Sequence, residues 1–230
     1  MLPSLWEAVA GSREVDWAVR GEDGKYVSFT PEMDRCWTWK DELPAQGLAC
    51  AGKHLGRWVA LVAPRLVPQL YALTGRRGRP DDFRDAELTP LQLEVAEAVL
   101  AAGPLTGPQL RALVGAEKKQ VDAAGVVLQR ALVITSSGRV DQQQGWGAVA
   151  VDVLARRFKL GRLPRADDAE RTLAATVLAS SGEVSAADLG GALGWRVKRS
   201  REALDELMER GEATRREEDG LALYRRPDVR

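Results

Sequence analysis

The sequence predicts an α+β protein, mostly helical, with two winged helix-turn-helix units in tandem after a Trp-rich N-terminal segment. The first observation is a repeat. Residues 86–141 and 167–226 each run as an apolar-periodic helix, a Gly-containing turn, a short capped helix, a second turn and a longer helix, and then β-type residues around a polar tip. The second is punctuation: Thr89-Pro90, Thr106-Gly107-Pro108-Gln109 and Ser185-Ala186-Ala187-Asp188 are helix starts, and Gly115 and Gly194 are turn positions. The third is charge. The last long helix opens with Trp195-Arg196-Val197-Lys198-Arg199-Ser200-Arg201, which carries four cations and no acid.

Composition sets three segments: a Trp-rich domain over 1–85, a first winged helix with its connector over 86–158, and a second winged helix over 159–230. In the first, Pro3-Ser4 opens a short helix over Leu5–Ala10 that Gly11 ends. Ala18-Val19 and Tyr26–Phe29 flank Gly21-Glu22-Asp23-Gly24 as a hairpin. Thr30-Pro31 starts a helix. Cys36–Pro44 carries Trp37 and Trp39, which share a face on a strand but not on a helix. Beside Arg35 and Lys40 these rings suit either a core anchor or a base-stacking role. Val59–Val62 reads as a buried strand, and Arg76–Asp82 as a polar linker and domain boundary.

In the first repeat Leu91, Val95, Ala96, Val99 and Leu100 line one helix, Leu110 and Leu113 the second, and Val121, Gly125, Leu128 and Leu132 the third. Val133–Thr135 is then a strand and Ser136–Arg139 a wing tip. In the second repeat Leu173, Ala174, Val177 and Leu178 match the first helix and Leu189 and Leu193 the second. Val197, Leu204, Leu207 and Met208 face inward from the third. Trp146 to Phe158 fits either a strand or a connecting helix.

In a winged helix the third helix commonly enters the DNA major groove. Arg196, Lys198, Arg199 and Arg201 are therefore the candidate DNA contacts, supported by Lys118, Lys119, Arg156, Arg157 and Arg215 on phosphates. The partner expected is double-stranded DNA, intact or damaged; a protein partner is the competing reading. Net charge is zero and each segment is balanced, which predicts weak nonspecific DNA binding unless the charge is patterned. Cations gather locally in Arg156–Arg165 and Arg196–Arg201, while acids gather between Asp205 and Asp219. That pattern suits a selective binder.

Several classes are excluded or unsupported. No apolar stretch approaches the ~18 residues of a membrane span, and no signal peptide is apparent, so a cytoplasmic protein is expected. Cys36 and Cys50 make neither a disulfide framework nor a metal-ligand spacing. His54, the one histidine, reads as structural rather than as a base or ligand. No phosphate loop or dinucleotide fingerprint is present, and no cofactor or metal is called for.

Three stretches carry a resemblance: Trp37-Thr38-Trp39-Lys40-Asp41-Glu42-Leu43-Pro44, then Ala51-Gly52-Lys53-His54-Leu55, then Val62-Ala63-Pro64-Arg65-Leu66-Val67-Pro68-Gln69-Leu70-Tyr71-Ala72. Together with Gly145-Trp146, they resemble the AlkZ/YcaQ-type winged-helix DNA glycosylases over about residues 30–160. That family removes alkylated bases and unhooks interstrand crosslinks with a Gln-x-Gln or Gln-x-Asp pair that orients water and stabilises the cation developing at the sugar. The resemblance implies catalytic candidates Gln142 and Gln144, which have the pair's spacing, and Asp152, which closes Gly147-Ala148-Val149-Ala150-Val151-Asp152. Ala150 stands where the pattern has its first glutamine. Three readings stay open: a non-catalytic DNA binder in repair or genome maintenance, a monofunctional glycosylase, and a winged-helix scaffold or transcription regulator.

Overall fold

The structure, a computed structural model, describes residues 4–11, 14, 17–140 and 147–227. It is α+β, with about half of the chain helical. The N-terminal part holds α1 (Leu5–Ala10), β1 (Ala18–Arg20), β2 (Tyr26–Phe29), α2 (Pro31–Ala45), β3 (Cys50–Gly52), β4 (Ala60–Val62) and α3 (Val67–Ala72). Ser4 caps α1 and Gly11 ends it in the left-handed conformation; Thr30 caps α2 with Pro31 at its first position. β1 pairs with β2, and β3 with β4, each as an antiparallel hairpin. Because Trp37 and Trp39 sit on α2, they do not share a face. Trp37 packs on Phe29 at 6.0 Å, with the Lys40 ammonium 4.2 Å from its ring centre.

The next elements are α4 (Pro90–Ala102), β5 (Leu105–Thr106), α5 (Gly107–Val114), α6 (Lys118–Arg130), β6 (Ile134–Val140), β7 (Ala148–Val153) and the single turn α7 (Leu154–Arg157). Last come α8 (Ala166–Ser181), β8 (Glu183–Ser185), α9 (Ala186–Leu193), α10 (Val197–Glu209), β9 (Thr214–Glu218) and β10 (Leu221–Arg225). The two sheets are ordered β5-β7-β6 and β8-β10-β9, so both units place the final strand between the short first strand and its hairpin partner. The repeated caps explain the match. Ser185 and Asp188 satisfy each other's backbone N–H groups, as Thr89 does with Gln92, and Gly115 and Gly194 occupy the left-handed region.

Two cores form. One joins Val95, Val99, Leu110, Val121, Leu128 and Ile134 of the first repeat to Val153 of β7. The other joins Cys50, Val67, Leu70 and Tyr71 to Leu154, Phe158, Leu173, Leu178, Leu204, Leu207 and Tyr224. Segments 1–85 and 159–230 therefore share one hydrophobic interior instead of folding apart. A six-residue helix such as α3 is unstable alone, and packing on α8 is what holds it.

The structure corrects several expectations. Arg76–Asp82 is no linker. Asp82 is buried, accepting from the Tyr71 hydroxyl at 2.5 Å and from the Gly78 and Arg79 N–H groups at 2.7 and 3.2 Å. Arg76 lies 3.5 Å from Asp82, over the Tyr71 ring, and donates to the Ala131 carbonyl at the end of α6. Ser136–Arg139 is strand, not tip, and α2 covers it. Gly138, at φ +98°, lies so close to Ala45 that an added Cβ would stand 2.5 Å from the Ala45 Cβ, and Arg139 donates to Asp41 at 2.8 Å. Leu113 is 57 % exposed, and Val197 and Met208 are 48 % and 38 % exposed, so these three do not face inward. On α10 the buried stripe is Ser200, Ala203, Leu204 and Leu207.

Candidate nucleic-acid interface

The cationic start of α10 splits in two once it is folded. Arg196 is the N-cap residue, and its side chain, with those of Lys198 and Arg201, lies on the exposed face. Arg199 turns the other way. Its guanidinium lies 4.4 Å from the Trp195 ring centre and pairs with Glu170 on α8, so it ties two helices together. This follows from helical phase: Arg199 borders the buried Ser200 and Ala203, whereas Lys198 and Arg201 stand a turn apart on the outside. The one carboxylate near Lys198 is Glu202 at 3.9 Å, and both groups are widely exposed, so this pair is worth little.

Arg201 and Val197 line one wall of a cleft of about 290 Å³ between α10, the start of α9 and the β9–β10 hairpin. Arg215, Glu217, Gly220 and Tyr224 line the rest. Arg215 is held by Glu217 at 2.6 Å. Tyr224 donates to Asp205 at 2.6 Å, and burial together with that carboxylate raises its phenol above the usual range. Arg216 bridges Glu183 on β8 at 2.7 Å and Glu218 at 2.9 Å, so one of the acids beside the hairpin tip, Glu218, is already neutralised. Ser185, at the cleft's edge, hydrogen-bonds the Asp188 carboxylate at 2.6 Å and holds it below the usual range.

In the first repeat, Lys118 and Lys119 open α6 after the Glu117 cap and are exposed. Arg156 and Arg157 are not available to a ligand. Arg156 donates to the Val99 and Leu100 carbonyls at 2.9 Å each, closing the C-terminus of α4, and pairs with Asp152. Arg157 donates to the Pro44 and Ala45 carbonyls at 2.6 and 3.0 Å, closing α2. Helix C-termini leave carbonyls without intrahelical donors, and these two guanidiniums supply them. The expected phosphate contacts at 156 and 157 are thus structural.

The catalytic candidates separate as well. Gln142 and Gln144 lie outside the described residues, as do Gly145 and Trp146. Asp152 sits in β7 with 6 % exposure; its carboxylate accepts from the Val153 N–H at 2.7 Å and from Arg156. With Oδ1 taking up both the strand-end N–H and the Arg156 guanidinium, this buried carboxylate orders the end of β7. Ala150 is buried on the same strand. His54 places Nδ1 2.7 Å from the Gln129 carbonyl, and burial lowers its pKa, so the neutral ring donates there. Among the described residues no three His, Cys, Asp or Glu side chains converge as a metal site, and no helix is long and apolar enough to cross a membrane.

The sequence signal missed the Tyr71–Asp82–Arg76 node altogether, since nothing local tells a buried Asp from a turn Asp. The Gly194 turn was legible, but not its neighbour. A Cβ there would stand 2.8 Å from the Leu55 carbonyl, so the β3–β4 loop abuts the start of α10.

The fold is similar to that of the Streptomyces sahachiroi DNA glycosylase AlkZ, with a TM-score of 0.55 and 17% identity, over 84% of this chain and 56% of that one. The chain therefore spans little more than half the length of that neighbour. No curated protein matches. The AlkZ-related family model matches residues 12–188, which takes in everything from the N-terminal hairpin to the start of α9 but stops short of α10. On that match, the chain belongs to the AlkZ-related family.

Proposed function

We propose that this protein binds double-stranded DNA through two winged-helix units, with α10 as its principal contact, in repair or genome maintenance. The observation that carries the reading is the sorting of cations on α10. Arg196, Lys198 and Arg201 stay on the open face beside the cleft, while Arg199 is spent on Glu170. The helix, strand, helix, helix, hairpin order of both units supports the winged-helix reading. α6 contributes Lys118 and Lys119, and Arg215 adds a phosphate contact if Glu217 releases it. The first unit is the lesser partner, because α2 covers its β6 strand.

Likeness to a DNA glycosylase makes damaged duplex the substrate class of choice. It also favours a second reading, base release, which the buried, Arg156-paired Asp152 carboxylate and the alanine at 150 count against. One experiment divides these. The protein is titrated on intact, abasic, alkylated and crosslinked duplexes in a gel shift, and then the alkylated duplex is heated in alkali. Binding without strand breaks is the expected result. Breaks above the no-protein control establish base release, and no shift on any duplex overturns the DNA reading in favour of a protein scaffold.

A further inference from the structure

The loop between β3 and β4 carries Trp58, which at 72 % exposure is the most open large apolar side chain among the described residues. Indole surface left in water forgoes the free energy its burial would return, so an open Trp on an anchored loop points to an occupant. The base of this loop is anchored. Lys53 N–H donates to the Gln129 side chain at 2.8 Å, His54 holds the Gln129 carbonyl, and Leu55 packs on the larger core. Only Arg57, Trp58 and Val59 stand clear. The Arg57 guanidinium lies 4.4 Å from the Trp58 ring centre, leaving most of the indole open.

Position and charge say what that surface meets. The Leu55 carbonyl abuts Gly194, the turn that launches Arg196 and α10. Trp58 follows three residues later, a reach of at most about 10 Å. The loop lies in the longest acid-free stretch of the chain: residues 43–80 carry Lys53, Arg57, Arg65, Arg76, Arg77 and Arg79 and no Asp or Glu. An aromatic ring backed by Arg57, next to the turn that launches the helix carrying Arg196, Lys198 and Arg201, has the chemistry for stacking on a nucleobase.

We infer that Arg57 and Trp58 form a stacking platform for a base that has lost its pairing partner, in a duplex held by α10. The inference rests on the DNA reading above and adds what the loop would select, namely a duplex defect. A paired base offers its face to its neighbours in the stack, so the platform gains only where pairing or stacking is already broken.

The test uses two duplexes carrying 2-aminopurine, one fully paired and one with 2-aminopurine opposite an abasic analogue. Affinity is read by anisotropy and stacking by 2-aminopurine quenching. The full chain should prefer the abasic duplex and quench its fluorescence. Trp58→Ala should cut that preference about tenfold and abolish the quenching, and Trp58→Phe should retain most of both. Equal melting temperatures for the three proteins confirm that folding is unchanged. Arg196→Ala should weaken both duplexes and leave their ratio alone. A Trp58→Ala protein that keeps the preference, or loses affinity for both duplexes in proportion, overturns the inference while leaving the DNA reading intact. Failure of the full chain to bind either duplex overturns both.

Discussion

Arg199 lies over the Trp195 ring at 4.4 Å and pairs with Glu170 on α8, so the arginine at the centre of the most basic run in the chain is engaged within the protein. Its substitution should therefore behave as a packing change. Arg199→Ala is expected to lower stability by ~1 kcal/mol, the sum of a partly exposed ion pair and a cation–π contact. Denaturant titration measures this. The salt dependence of DNA binding should stay within error of the parent chain, because no phosphate contact is lost.

The Tyr71–Asp82–Arg76 node should be the most sensitive polar site. Asp82→Ala leaves the Arg76 charge, the Tyr71 hydroxyl and two backbone N–H groups without their acceptor. Breaking a buried pair from one side costs about 3–5 kcal/mol. Urea unfolding should show that loss. A loss below about 1 kcal/mol would mean that water replaces the carboxylate and that the node is not closed.

Gly138 meets α2 at a contact that no side chain fits. With φ at +98° and Ala45 in the way, Gly138→Ala suffers both backbone strain and overlap. A loss of about 2–3 kcal/mol is expected. Adding Ala45→Gly should return the overlap part but not the strain part. The double-mutant cycle should thus show a coupling of about 1 kcal/mol.

His54 gives a pH dependence with a definite sign. Burial holds its pKa in the folded chain below the ordinary 6.5, with the Gln129 carbonyl opposing the shift. Between those two values the unfolded chain binds more protons, so stability rises with pH. It is fully present above about pH 6.5 and falls as pH drops through the histidine range. Melting followed from pH 7.5 to 5.5 should show that decline, and His54→Gln should flatten it. A parent chain with no decline in that window would contradict the buried neutral ring.

What the sequence made legible was local. Thr30, Thr89 and Ser185 announce their helices because a cap acts within four residues, and Gly115 and Gly194 announce turns because their backbone demands it. Ala96, Val99, Leu173 and Leu178 follow the helical period into the core. What was not legible depends on tertiary contacts or on the phase of a helix. Arg156 and Arg157 read as free cations because their acceptors, the ends of α4 and α2, are 56–57 and 112–113 residues away. Asp82 looked like a linker residue because its partner Tyr71 lies across a turn. Val197 looked like core, but the stripe on α10 runs through Ser200 and Ala203, small residues that no hydropathy pattern highlights.

Whether the outward row of charge on α10 meets phosphate is read from duplex affinity across a range of salt concentrations, for the parent chain and for the triple variant Arg196→Ala, Lys198→Ala, Arg201→Ala. Each lost phosphate contact lowers the log–log slope by roughly one, so a drop of about three with an unchanged melting temperature is predicted. A variant that binds with the parent's slope would show that the duplex, if engaged at all, lies elsewhere.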